Sequence, residues 1–155
     1  MRFSPRNSAL DVRDRLRLGP ICAAADRKDA DHHACVELFT GLRLANRRLL
    51  VPQTVLAEVG YLLETKVGTF AEVAFLEAVA AGSFEMVSLS NEDVTRVAEL
   101  VHRYDDLPLG TTDASVIALA GRPSIDEIAT LDHRHFRVVR PRHVDAFTLL
   151  PEVVY

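Results

Sequence analysis

Apolar residues recur along most of the chain at spacings of three and four positions, which is the pattern of helices with one buried face. Three of the predicted helices begin with residues that can cap them, and Asp31 is a plausible cap of the helix at 31–44. Ser90 and Asp93 resemble a capping box, and Thr111 or Thr112 can cap the helix that follows. A short helical turn is predicted at 21–25. Three longer helices are predicted over 31–44, from Pro52 to Gly68 and over 69–81, and two more begin at Ser90 and at Thr111 or Thr112.

Short apolar runs between these helices predict buried strands at 49–51, 84–89, 128–131 and 136–139. The runs are apolar rather than alternating, which is typical of a parallel sheet covered by helices on both faces. The sequence therefore predicts an α/β fold, a three-layer α/β/α sandwich with a central parallel sheet. In such sheets, ligands bind beyond the carboxyl ends of the strands.

The composition is that of a globular protein. Of 155 residues, 48% are hydrophobic and 26% are charged, which predicts a single domain over residues 1–155 with a sizeable core. No apolar run approaches the roughly 20 residues of a membrane helix. Residues 1–20 carry five arginines and lack the apolar stretch of a signal peptide, so we expect a cytoplasmic protein without membrane contact. Cys22 and Cys35 are expected to be reduced packing residues.

Three carboxylates stand at the edges of predicted apolar elements, where an unpaired charge is costly. Glu58 borders the apolar stripe of the helix that opens at Pro52, Asp113 falls in the first turn of its helix, and Asp132 follows the strand at 128–131. Singly, each has an ordinary explanation as a solvated, dipole-stabilising or turn residue. Together, at one edge of a parallel sheet, they can approach a single point and hold a metal ion.

The same three residues lie in motifs that resemble those of the PIN-domain ribonucleases, particularly the VapC toxins of bacterial toxin–antitoxin pairs. The motifs are AEVxxLLE around Glu58, GTTDASVIALA around Asp113 and IATLDxxHF around Asp132. The resemblance implies a PIN-like fold and RNA cleavage with Mg²⁺ or Mn²⁺, hard cations that prefer oxygen ligands. It assigns the metal to Glu58, Asp113 and Asp132, with a supporting hydroxyl from Thr112. It also implies a cognate antitoxin protein and a homodimer.

Residues 1–18 depart from the family pattern. Arg17 stands where the family has its first acidic ligand, and Leu18 stands where it has a hydroxyl residue. A guanidinium offers no acceptor to a cation, and its permanent charge opposes metal binding. Asp26 is an alternative source of the oxygen, and Asp11 or Asp14 would require a slipped register. The sequence thus predicts a metal-dependent endoribonuclease impaired or inactivated at Arg17. The alternative is a catalytically inactive PIN-fold protein that still binds antitoxin or RNA.

The net charge of −4 argues against general electrostatic binding of nucleic acid by the whole chain. Residues 132–143, however, carry four arginines and one acidic residue. Arg134 and Arg137 are the candidates for RNA contact in this segment. A solvated loop and edge strand is the more frequent explanation of such a charge run.

Histidines offer a second kind of metal site. His133, His135 and His143 could in principle form a zinc site. His32 and His33 are adjacent on a helix and point in different directions. We interpret all five as surface or packing residues.

Overall fold

The computed structural model describes residues 19–107, 109–122 and 125–152. Arg17, Leu18 and the other residues of the segment 1–18 lie outside the described residues, as do Asp11 and Asp14. No helix in the described ranges is long and apolar enough to cross a membrane. The elements, numbered in chain order, are α1 Pro20–Ala25, α2 His32–Leu44, β1 Leu50–Pro52, α3 Gln53–Lys66, α4 Thr69–Ala80, β2 Glu85–Val87, α5 Asn91–Arg103, α6 Gly110–Gly121, β3 Glu127–Ala129, α7 His133–Val138 and β4 Thr148–Leu150.

The four strands form two parallel pairs. β1 pairs with β2 in a register that sets Val51 opposite Met86, and β3 pairs with β4 with Ile128 opposite Leu149. Each strand is only three residues long. The described chain is thus a helix-rich α/β fold with short parallel strands. The three-layer sandwich around one central sheet stays a prediction.

The last predicted strand, 136–139, is wrong, because most of this segment belongs to helix α7. The buried side chains here are those of Asp132, His133, His135, Phe136 and Val139. Steps of three or four residues lead from Asp132 to His135 and Phe136 and from these to Val139, so the four residues share one face of a helix. The β-branched pair Val138-Val139 instead favoured the interpretation as a strand. The last strand of the described chain is β4, Thr148–Leu150, in a region predicted to be irregular.

The helix starts agree with the sequence in one case and differ in another. The Ser90 capping box is confirmed: the Ser90 hydroxyl accepts a hydrogen bond from the Asp93 N–H, and the Asp93 carboxylate accepts one from the Ser90 N–H. The predicted threonine cap of α6 is wrong. The chain enters this helix earlier, through Gly110 at a φ of +69°, a conformation that favours glycine, so neither threonine hydroxyl caps it.

Two groups of buried side chains form the core. The first, called here the N-terminal cluster, joins α1, α3 and α4 and consists of Cys22, Val59, Leu62, Leu63, Ala71 and Phe75. The second, the C-terminal cluster, is built around α5, α6, β3 and α7. It consists of Val97, Leu100, Leu109, Ala114, Ile117, Ala118, Ala120, Ile128, Phe136, Val139 and Phe147.

Polar contacts join the two clusters. The buried Ser115 hydroxyl of α6 donates to the carbonyl oxygen of Thr112 at 2.6 Å. Because a serine has a single hydroxyl hydrogen, the Thr54 hydroxyl of α3 is the donor in its 2.5 Å contact with Ser115 Oγ. Arg47, just before β1, forms an ion pair with Glu127 of β3. Helices α3 and α6 are therefore fixed side by side.

Candidate functional site

Asp113 is positioned by α6. It lies in the first turn of that helix, where the exposed backbone N–H groups and the helix dipole favour a negative charge. The next residue, Ala114, and Ile117 are buried in the C-terminal cluster and hold this turn in place. The Asp113 side chain is 31% exposed, so it can reach both the interior and the surface.

Asp132 is positioned by the end of β3. The Thr130 N–H donates to the carbonyl oxygen of Leu150 at 2.9 Å, which continues the pairing of β3 with β4. The Asp132 N–H then donates to the Thr130 hydroxyl at 3.0 Å, which turns the chain into α7. Asp132 is only 8% exposed, and its Oδ1 atom has no hydrogen-bond partner among the described residues. A buried carboxylate oxygen without a partner is costly, which is expected where a ligand completes its contacts.

His135 joins these two carboxylates. Its Nδ1 lies 2.8 Å from Asp113 Oδ2 and 3.3 Å from Asp132 Oδ2. The sequence interpretation placed His135 among surface or packing residues. It missed this contact because it treated residues 132–135 as a loop before a strand at 136–139. Helical spacing would have found it, since Asp132 and His135 are three residues apart and therefore neighbours on one face of α7.

Asp113, Asp132 and His135 form a group able to hold a metal ion. One donor atom from each lies within 4.8 Å of the others. Neighbouring donors around an octahedral cation with bonds of about 2.1 Å are about 3 Å apart, close to the two measured distances. The donor set and the unpartnered Asp132 oxygen both fit a divalent cation.

Glu58, the third predicted ligand, is not in this group of described residues. It is half-buried on α3, one turn beyond Thr54 and therefore on the face that contacts α6. Its charge also acts on Cys22 of α1: burial first, then the charges of Glu58 and Asp29, raises the pKa of the Cys22 thiol to about 12. Glu58 thus lies beside α1 and α6, and its role as a ligand stays a prediction.

The two supporting oxygens predicted from the sequence also lie outside the group of three. Thr112 is half-buried, and its carbonyl accepts the Ser115 hydroxyl. Asp26 directly follows α1, and its carboxylate accepts the Lys28 N–H at 2.9 Å. Their contribution to a metal site stays a prediction.

The arginines of residues 132–143 have different surroundings. Arg134 and Arg137 are exposed on α7, and Arg137 Nη2 lies 3.5 Å from His133 Nδ1. Arg142 instead pairs with Glu99 of α5 at 3.0 Å, which gives it a structural partner. The two predicted RNA-contact residues are therefore exposed on the helix that follows Asp132, and their contact with RNA stays a prediction.

Most of the chain is similar to proteins of one family. The family model described as the PIN domain matches residues 21–141. Ribonuclease VapC26 of Mycobacterium tuberculosis is 35% identical over 131 residues, which cover 84% of this chain and 95% of the relative. The crystal structure of M. tuberculosis VapC20, described as a Sarcin-Ricin loop cleaving toxin, superimposes with a TM-score of 0.66 at 19% identity. The match covers 76% of this chain and 88% of VapC20, and at this identity it concerns the fold alone.

Proposed function

Because the chain belongs to the PIN-domain family and is a VapC-type member of it, we propose that it is a toxin that cleaves RNA phosphodiester bonds with the help of Mg²⁺ or Mn²⁺. The observation that carries the proposal is the convergence of Asp113 and Asp132, from two different elements, on one point with a buried carboxylate oxygen left without a partner. Two carboxylates held together in this way repel each other unless a proton or a cation lies between them, and a divalent cation supplies the larger positive charge.

Asp113 and Asp132 would hold the cation, with Glu58 completing the set predicted from the sequence. A divalent cation bound there supplies charge that neutralises the scissile phosphate and makes a water molecule more acidic. The chain itself supplies orientation. Thr130 fixes the backbone of Asp132, and the packing of α6 fixes the turn that carries Asp113. Both carboxylates are therefore in place before RNA arrives, which reduces the reorganisation that catalysis requires.

Arg134 and Arg137 would bind the RNA backbone. Both are exposed on α7, the helix that also carries His135, and an arginine pairs well with a phosphate through its planar set of donors. With a net charge of −4 over the whole chain, such local positive charge is needed to bring RNA to an acidic site. Loss of either arginine should weaken RNA binding and leave metal binding unchanged.

Several broader features belong to the same proposal. We propose a single cytoplasmic domain over residues 1–155, arranged as a three-layer α/β/α sandwich, that forms a homodimer and pairs with a cognate antitoxin protein. Support comes from the VapC-type family membership, from the parallel strand pairs, and from the ion pair between Arg47 and Glu127, which ties one strand pair to the other.

The central experiment compares Asp132→Asn with Asp126→Asn. Asp126 is an exposed acid just before β3, at the opposite end of the strand from Asp132. Asp132→Asn should reduce metal-dependent RNA cleavage by about 100-fold and abolish metal binding measured by calorimetry, while Asp126→Asn changes neither. Equal effects of the two variants would refute the proposed site.

Arg17 decides whether the chain is active as it stands. Arg17→Asp restores the family's first acid, and we expect it to raise cleavage, with Asp132→Asn abolishing the gain in the double variant. The alternative function is a catalytically inactive PIN-fold protein that binds antitoxin or RNA. It would be supported by antitoxin binding together with no cleavage by either the native chain or Arg17→Asp at high Mn²⁺.

A further inference from the structure

His135 is the histidine of the motif IATLDxxHF, but neither this motif nor the family comparison assigns it a role. Its ring is buried against both carboxylates, at 2.8 Å from Asp113 Oδ2 and 3.3 Å from Asp132 Oδ2. The atom that faces them is Nδ1, a nitrogen that can bind a metal when the ring is neutral. The donors of this group of described residues are thus two carboxylates and one imidazole rather than carboxylates alone.

We infer that His135 binds the cation directly through Nδ1, and that the site therefore prefers Mn²⁺ to Mg²⁺. The inference rests on the metal site of the proposed function and adds to it the identity of a ligand and of the preferred ion. Two independent observations carry it. The separations of 2.8 and 3.3 Å match those of adjacent donors around one cation, and Asp132 Oδ1 is buried without a hydrogen-bond partner among the described residues. Without a cation, the His135 Nδ1–H donates a hydrogen bond to Asp113 Oδ2 at 2.8 Å, and a bound cation would take the place of this proton.

The preference follows from the chemistry of the donors. Mg²⁺ is a hard ion that takes oxygen ligands and gives up its water molecules reluctantly, so replacing a water by imidazole adds little to its binding. Mn²⁺ also accepts carboxylates, but as a first-row transition metal ion it binds nitrogen donors such as imidazole more readily than Mg²⁺ does. One histidine among two aspartates therefore strengthens Mn²⁺ binding selectively.

His133 provides a matched control on the same helix. It is as buried as His135, but its Nδ1 lies 3.5 Å from an Arg137 nitrogen, and it is not in the group of three donors. Replacing either histidine by glutamine removes a buried ring of the same size. Only the loss of His135 should change which metal is bound.

Pulsed electron paramagnetic resonance on the Mn²⁺-loaded protein tests the direct bond. A coordinated imidazole nitrogen modulates the spin echo of Mn²⁺, so we expect this modulation in the native protein and in His133→Gln and its loss in His135→Gln. Absence of the modulation in the native protein would refute the inference, as would failure to bind Mn²⁺ at all. The native measurement alone decides the question if a variant does not fold.

Calorimetric titration with Mn²⁺ and with Mg²⁺ tests the preference. His135→Gln should lower the affinity for Mn²⁺ by about tenfold while changing that for Mg²⁺ by less than about twofold. An equal loss for both ions would mean that His135 only positions the carboxylates, and it would overturn the inference. RNA cleavage is scored separately. Nitrogen modulation without cleavage, also in Arg17→Asp, defeats the proposed function, whereas Asp132-dependent cleavage without modulation defeats only the role given to His135.

Discussion

The two clusters of the core support different surfaces. The C-terminal cluster holds Asp113, Asp132 and His135 at fixed distances on three elements that pack against one another. The N-terminal cluster lies under helices that expose several large apolar side chains. Its helices α3 and α4 carry Tyr61 and Phe70, which with Leu44 of α2 are the most exposed of the large apolar side chains described.

This difference indicates that the group of three donors and the most exposed apolar side chains are supported by different clusters of the core. Large exposed apolar groups are characteristic of surfaces that contact other molecules, whereas a buried polar group needs precise neighbours. The donor geometry should therefore depend on the packing of the C-terminal cluster and much less on that of the N-terminal cluster. Matched changes in the two clusters test this separation.

The largest effect is expected from Phe136→Ala compared with Phe75→Ala. Phe136 lies on α7, is buried in the C-terminal cluster and packs edge-on against Phe147. Phe75 is also buried, but in the N-terminal cluster. Each truncation should lower the free energy of unfolding by about 3 to 5 kcal/mol, because it leaves a cavity. Urea denaturation measures this loss, and calorimetry of Mn²⁺ binding is then made on the folded fraction of each variant.

Only Phe136→Ala should also reduce metal affinity, because the ring fixes the helix that carries His135 and the turn that carries Asp132. If Phe75→Ala weakens Mn²⁺ binding as much as Phe136→Ala, the two clusters do not act separately. The two clusters would then form a single cooperative core, and the donor geometry would depend on both.

A smaller effect is expected at the contact that joins the clusters. Ser115→Ala removes the acceptor of the Thr54 hydroxyl and should cost about 1 to 2 kcal/mol of unfolding free energy. Ser83→Ala, an exposed serine after α4, should change it by less than about 0.5 kcal/mol. Thr54→Val and Ser115→Ala should be non-additive in the double variant, since they remove the same contact, and additive losses would show that the contact couples nothing.

Much of the fold could be predicted from the sequence, because its long helices have a clear periodic pattern of apolar residues. The span predicted from Pro52 to Gly68 agrees with α3, Gln53–Lys66, and the Ser90 capping box agrees in atomic detail, since both depend on local spacing and local hydrogen bonds. The strands were harder because each has only three residues, too few for a periodic pattern. β4, Thr148–Leu150, was missed for this reason.

The candidate site shows the same limit. Asp113 and Asp132 were found because each stands at the end of an element whose type was predicted correctly, an α-helix start and a parallel strand end. His135 was missed because its position depends on α7 being a helix and on α6 packing beside it. The helix could be predicted from the spacing of Asp132, His135 and Phe136. The packing of α6 beside α7 is a tertiary contact that the local sequence pattern does not specify.

The smallest effect expected is the alkaline loss of stability caused by the buried thiol of Cys22 in the N-terminal cluster. Burial, followed by the charges of Glu58 and Asp29, raises the pKa of Cys22 from the usual 9.0 to about 12, so the folded state keeps a proton that the unfolded chain loses. The stabilising contribution is complete below pH 9 and is lost as the pH rises towards 12. At pH 10 it should already have fallen by about 1 kcal/mol.

Urea denaturation at pH 8 and pH 10 measures this loss, and Cys22→Ala should make the decline smaller. The share of Cys35 remains, because burial and then the charges of Asp31 and Asp29 raise the pKa of that thiol from 9.0 to about 11. Ile117→Val in the C-terminal cluster is the control, because it costs about 1 kcal/mol at both pH values without removing an ionisable group. A decline as steep in Cys22→Ala as in the native chain would show that other groups cause it. A decline that is smaller in Cys22→Ala than in the native chain and in Ile117→Val would assign that part of the alkaline sensitivity to the N-terminal cluster.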